Sequence, residues 1–248
     1  MKKIFLVCAV IMVGAAMVFG QGAREPDTYV FATDATWPPM EFVDDSGEIV
    51  GFDVDLINAI AEAEGITIQL RNTAWDGIFA GLANRAYDGI ISSVTITEER
   101  KKIMDFTEPY TNAGQVLIVR ADMADVSVLD DLVGRRVGVQ NGTTGDFVLD
   151  DYPGVIRMAY DEIGFAVEDL MNRNVDGVVA DSPIAADYVM NNPNYQGRLK
   201  IAGEPFTEEY LGIAVNKGNT ELLNKLNSGL RKLRESGVIE ELERKWLR

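Results

Sequence analysis

The chain of 248 residues contains no histidine and a single cysteine, Cys8. Without histidine it cannot build the usual zinc sites, a Ser-His-Asp triad or a Cys-His pair, which removes most hydrolase chemistries. Cys8 lies inside the apolar run 4–19, so a chain that has shed this run has no disulfide and no thiol chemistry. Basic residues are scarce as well: 23 Lys and Arg stand against 39 Asp and Glu, for a formal charge of −16. That balance argues against nucleic acid and anionic lipid as partners. It suits a cationic or zwitterionic small ligand, and equally suits plain solubility. The run 4–19 is shorter than the ~20 residues of a membrane span. With Met1-Lys2-Lys3 before it and small residues near Gly20 and Gly22, it reads as a secretory signal over residues 1–22. Cys8 follows Val7 near the start instead of standing behind the apolar run, which argues against lipid attachment.

What the sequence does contain is one phrase written twice. Gly81-Leu82-Ala83-Asn84-Arg85-Ala86-Tyr87-Asp88-Gly89-Ile90 returns as Asp169-Leu170-Met171-Asn172-Arg173-Asn174-Val175-Asp176-Gly177-Val178. Each copy reads as a helix end, a polar turn, and a buried strand opening on Asp-Gly. The strands run out on Ser92-Ser93-Val94-Thr95 and on Ala180-Asp181-Ser182. In open α/β sheets ligands sit beyond the carboxyl ends of strands, so two such ends in two similar halves predict one cleft lined from both sides.

Around these copies the pattern alternates. Tyr29-Val30-Phe31-Ala32 reads as a strand, followed by the breaker Trp37-Pro38-Pro39 and a hairpin about Asp44-Asp45-Ser46-Gly47. Asp53 is expected to cap a helix with Val54, Ile57, Ile60 and Ala61 on one face and Gly65 as its stop. A strand at 66–70 and a helix at 76–83 complete a β-α-β-α unit, the mark of a parallel sheet with covering helices. The second half repeats this with strands at 116–119, 136–139 and 155–159, a helix at 165–171, and Pro183 opening another. A late strand at 211–215 and the stripe Leu222, Leu223, Leu226, Leu230, Leu233 close the chain, with Gly237 before a last helix. The final helices have no strand left to cover in the second half, so they are expected to return to the first. That gives one lobe from 28–110 plus 210–248, another from 115–205, and two extended crossings that form a hinge.

Among polar residues, Thr95-Ile96-Thr97-Glu98-Glu99-Arg100 is the sharpest segment. Thr95 or Thr97 can cap the helix that follows, and Thr95 with Glu98 fits a capping box. Arg100 then falls in a first turn, where a cation opposes the helix dipole. A guanidinium there either grips a carboxylate through two parallel bonds or pairs on the surface with Glu99 or Asp105. Asp181 ends the second repeat strand, where it can face the cleft, cap the Pro183 helix, or do both. Gly142-Thr143-Thr144 leads into a helix N-terminus that can present amides to an anion, but lacks the Gly-Lys-Ser/Thr ending of a nucleotide loop. Trp37 and Trp75 stand beyond predicted strands, as partial core or as plates that stack on a planar or cationic group. Asp34 between them would complement a positive or amide side chain.

Together these motifs resemble the polar amino-acid-binding proteins of ABC importers, family 3 of the periplasmic solute-binding proteins. The resemblance runs from about Tyr29 to the end. Ala32-Thr33-Asp34 with Trp37-Pro38-Pro39-Met40-Glu41-Phe42, Gly51-Phe52-Asp53-Val54-Asp55-Leu56, and Thr95 through Arg100 with Asp105-Phe106 carry it. Val137 through Gly145 and Asp176 through Asp181 complete it. The resemblance implies an α/β, two-lobed, type II periplasmic-binding-protein-like fold, each lobe a sheet flanked by helices, joined by two hinge crossings. It implies a monomer of the periplasm that closes on a free amino acid and docks on an inner-membrane permease, with no cofactor, no nucleic acid and no catalysis. By position, Arg100 would hold the α-carboxylate with amides near Thr95 and Thr144. Asp181 would take the α-ammonium with an oxygen from Ser93. Trp37 and Trp75 would sandwich the side chain and Asp34 would read its polar end. Gln140 stands where glutamine binders of this type often carry lysine, which favours a cationic ligand: arginine first, then lysine, histidine or ornithine. Glutamine is the main rival ligand. The rival class is a cyclohexadienyl-dehydratase-like enzyme, which without histidine would need Glu41 or another acid as its proton donor.

Overall fold

The computed structural model describes residues 27–247, so the expected secretory signal and Cys8 lie outside the described residues. Two five-stranded sheets organise the molecule. The first runs in the order Thr67–Asn72, Thr28–Thr33, Gly89–Ile90, Ala214–Asn216, Met104–Phe106. The second runs Ile156–Tyr160, Arg136–Gln140, Gly177–Asp181, Gln115–Arg120, Leu199–Ala202. In each, the first three strands are parallel and the last two antiparallel to their neighbours. In both sheets the first strand of the β-α-β-α unit is flanked by the unit's second and third strands, and the strand order reverses there.

The repeated phrase has the same local structure in both copies. The helices Ile78–Ala83 and Ile163–Met171 end in turns where Arg85 and Arg173 take left-handed φ values of 58° and 64°. Two residues of this type are rarely left-handed, so the sharing of that turn is a structural equivalence. Asp88 Oδ2 then accepts the Val30 amide at 2.8 Å, and Asp176 Oδ2 accepts the Arg136 amide at 3.1 Å. Each aspartate thus satisfies a backbone donor of the first strand of its own unit. The glycine that follows has a packing reason in each case: a Cβ would run into the Phe31 ring at Gly89, and into Leu117 and Leu132 at Gly177.

The helix Phe52–Glu64 buries Val54, Leu56, Ile57, Ile60 and Ala61 and stops at left-handed Gly65, as the spacing predicts. Its start differs from expectation. Gly51 is the cap, at φ 135°, while Asp53 lies in the first turn and is turned inward to accept the Ser93 amide at 2.8 Å. The reason is proximity across the sheet: the amide of Ser93, itself at φ 47°, needs a buried acceptor. A small antiparallel sheet of Thr36–Trp37, Glu41–Val43 and Ile49–Val50 surrounds this helix start.

Thr111–Ala113 and Glu209–Leu211 pair as an antiparallel two-stranded ribbon between the two sheets. These are the two hinge crossings. After the second crossing the chain supplies Ala214–Asn216 to the first sheet and then the helix Thr220–Ser236. Leu222, Leu226, Leu230 and Leu233 of that helix are buried. It lies against Phe52–Glu64, with the Gly229 backbone on Ile60 and Lys232 3.0 Å from Glu64. Gly237 turns left-handed, and Val238–Trp246 follows, with Trp246 donating to Asp55 at 2.7 Å and packing edge-on to Phe42. No helix of the described residues is long and apolar enough to cross a membrane.

Candidate functional site

A narrow cavity lies between the carboxyl ends of the two sheets. All nine residues singled out from the sequence line it: Asp34, Trp37, Trp75, Ser93, Thr95, Arg100, Gln140, Thr144 and Asp181. Glu41, Ser92, Gln115, Thr143 and Ala180 complete the wall. Its wall combines a guanidinium, carboxyls and hydroxyls with two indoles, a lining that suits a small polar solute.

Arg100 enters the cavity because nothing on the surface holds it. Its two candidate surface partners are occupied, Asp105 by Lys217 at 2.7 Å and Glu99 by Lys102 at 2.6 Å. The guanidinium is 8% exposed and is fixed by the Thr95 carbonyl at 3.0 Å and the Gly142 carbonyl at 3.5 Å. It stands 5.5 Å from the Trp75 ring centre and 4.9 Å from that of Phe79. Five donors and two carbonyls leave N–H groups for an anion. Burial lowers its pKa to about 10, the signature of a cation short of counter-charge.

The helix behind Arg100 is a single turn, Glu98–Lys101, so Arg100 lies as near its C-terminus as its N-terminus. The dipole conflict expected from the sequence therefore carries no weight. Thr97 is the cap, accepting the Arg100 amide at 3.1 Å, and the Thr95–Glu98 capping box does not form. Thr95 is free of capping because its hydroxyl turns to Glu209 Oε2 at 2.8 Å.

Asp181 ends Gly177–Asp181 and precedes the helix Ser182–Ala186 without capping it through its side chain. Its carboxylate is 6% exposed and accepts from the Gln115 carboxamide. Burial, and then the charge of Glu209, push its pKa up to about 7. A buried acid in that state gains from a cation brought to it.

On the opposite wall, Asp34 Oδ1 accepts from Thr36 at 2.9 Å and Oδ2 accepts from Gln140 at 3.0 Å. Burial raises its pKa, and those two hydrogen bonds offset part of the rise. The Asp34 amide donates to Ser92 Oγ at 2.9 Å, and Ser92 donates to Glu41 at 2.8 Å. The Gln140–Asp34 bond joins the two halves directly. So does Thr144, whose hydroxyl lies 3.3 Å from Thr95 and 2.7 Å from Glu209.

Gln115, Glu209 and the Glu41–Asp53 pair escaped the sequence reading. Glu209 opens the second hinge crossing, and Gln115 starts Gln115–Arg120, a strand buried at every position, so in neither place does a period mark a polar residue as inward. Three carboxyls and one guanidinium line the cavity, with Glu209 behind the threonines. No cluster of His, Cys, Asp and Glu able to hold a metal occurs among the described residues.

The model of the bacterial extracellular solute-binding proteins, family 3, matches residues 29–248. A putative ABC transporter arginine-binding protein 2 of Escherichia coli K12 is 35% identical, covering 99% of each chain. A probable histidine-binding protein of Neisseria gonorrhoeae is 37% identical over 97% of this chain and 92% of its own. An ancestral arginine-binding protein solved with arginine superposes with a TM-score of 0.84 at 40% identity, over 91% of this chain and 100% of its own.

Proposed function

Because the chain belongs to family 3 of the bacterial extracellular solute-binding proteins, we propose that it captures a free cationic amino acid and delivers it to an ABC permease. Arginine is preferred over lysine, histidine and ornithine. One observation carries the reading: Arg100 and Asp181 line one buried cavity together with an excess of carboxyls. Arg100 takes the α-carboxylate, with amides near Thr95 and Thr144. Asp181 takes the α-ammonium, and Ser93 adds an oxygen. The side chain then lies by Trp37 and Trp75 and ends at Asp34 and Gln140. Arginine and histidine in the names of two relatives support a cationic side chain.

In this reading residues 28–110 with 210–248 form one lobe and 115–205 the other, closing about the ribbon as a monomer in the periplasm. The protein binds and releases without turnover. Calorimetric titration with a panel of free amino acids tests the proposal. Arginine should bind tightest; preference for an acidic or aliphatic amino acid overturns it.

Glutamine is the second reading. Gln140 already donates a carboxamide N–H to Asp34, so that carboxylate accepts an uncharged amide as well as a cation. The same panel separates the two.

A further inference from the structure

Behind the cavity wall lies a pair of acids that the reading above does not use. Glu41 and Asp53 are both 0% exposed. Glu41 Oε1 accepts from Ser92 at 2.8 Å and Oε2 from Ser93 at 3.5 Å. Asp53 Oδ2 accepts the Ser93 amide at 2.8 Å and the Tyr110 hydroxyl at 2.9 Å. Asp53 Oδ1, also buried, has no hydrogen-bond donor. The two carboxyls converge on Ser93, Glu41 on its hydroxyl and Asp53 on its amide. Asp53 Oδ1 is thus a buried acceptor with room in its bonding for a proton held by the pair.

We propose that Glu41 and Asp53 share one proton at the cavity wall, and that a cationic ligand side chain expels it on binding. The proposal rests on the cationic-ligand reading above. The titratable groups that act on the pair from neighbouring elements are an acid and a phenol: Asp34 beyond Thr28–Thr33 and Tyr110 at the entrance to the hinge. Arg100 is the one cation among the described cavity-lining residues, and the carbonyls of Thr95 and Gly142 hold it. Two buried carboxylates with no cation of their own cannot both ionise at low cost, so they keep one proton between them. Burial, and then the charge of Asp53, hold the Glu41 carboxyl well above the usual carboxylate range.

Glu41 itself lines the cavity, with Asp53 behind it. A guanidinium or ammonium arriving there supplies the missing positive charge. The carboxyl O–H of Glu41 then breaks, its proton passes to solvent, and the carboxylate pairs with the ligand. A neutral side chain of the same shape cannot drive that exchange. Binding of any amino acid also draws a fraction of a proton from Asp181, so the distinguishing quantity is a difference between ligands.

The experiment is calorimetric titration at pH 7 in buffers of different ionisation enthalpy, with arginine and with its neutral isostere citrulline. Arginine should release about one proton more per site than citrulline. In Glu41→Gln, which keeps an N–H donor toward Asp53, the extra proton should vanish. Arginine affinity should then fall at least tenfold more than citrulline affinity. Infrared difference spectra read the proton directly: the unliganded protein should show a buried carboxylic-acid carbonyl band that is absent from Glu41→Gln and disappears with arginine. Equal proton release by arginine and citrulline, with arginine bound, overturns this inference and leaves the cationic reading standing. Failure of arginine to bind overturns the cationic reading and the expulsion step with it. Absence of the acid band overturns the shared proton whatever binds.

Discussion

Replacing Asp181 by Asn should stabilise the unliganded protein and weaken its grip on amino acids together. The carboxyl of Asp181 rises from an ordinary 3.8 to about 7 through burial and then the charge of Glu209. Between those two values the folded chain holds a proton that the unfolded chain has lost. Stability therefore falls as pH rises through that window, and the loss is complete above about 7. Converted directly, the shift corresponds to about 4 kcal/mol. Relaxation of the surroundings and rearranged hydrogen bonds reduce that, and about 2 kcal/mol is the expected penalty at pH 8. Asn carries no such charge and its oxygen can still accept from Gln115. The variant should melt with the native protein at pH 4 but roughly 4–8 °C above it at pH 8.

Binding responds in the opposite sense. Taking away one partner of a buried charge pair costs about 3–5 kcal/mol, so the amino acid should bind roughly 10²- to 10³-fold more weakly at pH 8. In the native protein the affinity should decline as pH drops below about 7, because Asp181 must first lose its proton to meet an ammonium. Thermal melts of both proteins without ligand, at pH 4 and 8, and titrations at pH 8 supply the comparison. A variant less stable than native at pH 8, or one that binds as tightly, would refute the account of Asp181.

Arg100→Lys should lower affinity by about 10²-fold without lowering the melting temperature, since a point charge replaces a planar fork at a site built for two parallel bonds. A loss under threefold would show that the α-carboxylate is held elsewhere. Glu209→Ala should loosen the joined halves, because Glu209 Oε2 collects the hydroxyls of Thr95 at 2.8 Å and Thr144 at 2.7 Å, one from each side. About 1–3 kcal/mol is at stake, read as a larger radius of gyration by small-angle scattering and a lower affinity. An unchanged radius and affinity would remove Glu209 from the closing machinery.

Legibility in the sequence followed from what each signal depends on. The twin phrases disclosed both sheets because Asp88 and Asp176 do local work on a neighbouring strand that any copy of the unit must repeat. Gly65 and Gly237 marked helix ends because only the backbone conformation matters there. Arg100 and Asp181 were legible as candidates through their places at strand and helix ends. Side-chain direction was harder. Asp53 and Thr95 carry the signature of caps, yet each turns to a partner distant in sequence, Ser93 and Glu209. Such choices are settled by which buried donor or acceptor would otherwise go unpaired, and that depends on the assembled fold. Gln115 and Glu209 had no local signal, since the direction of Glu209 is set by the ribbon and that of Gln115 by its pairing beside Asp181 in the second sheet.

The division of charge between the halves gives closure a physical trigger. Asp34 and Glu41 come from the first sheet's side, Asp181 from the second, and Glu209 from the ribbon between them. Bringing them together removes water from several like charges, and Arg100 alone offsets little of that. In the proposed function, a zwitterion with a cationic side chain would deliver its ammonium to Asp181, its carboxylate to Arg100 and its remaining positive charge to the Asp34–Glu41 wall. Each of those terms is larger when the walls are close and dry than when they are apart and wet. The ligand therefore favours the closed arrangement by a differential interaction, as any conformational shift requires. An acidic amino acid would add to the repulsion instead, and the same closure would work against it.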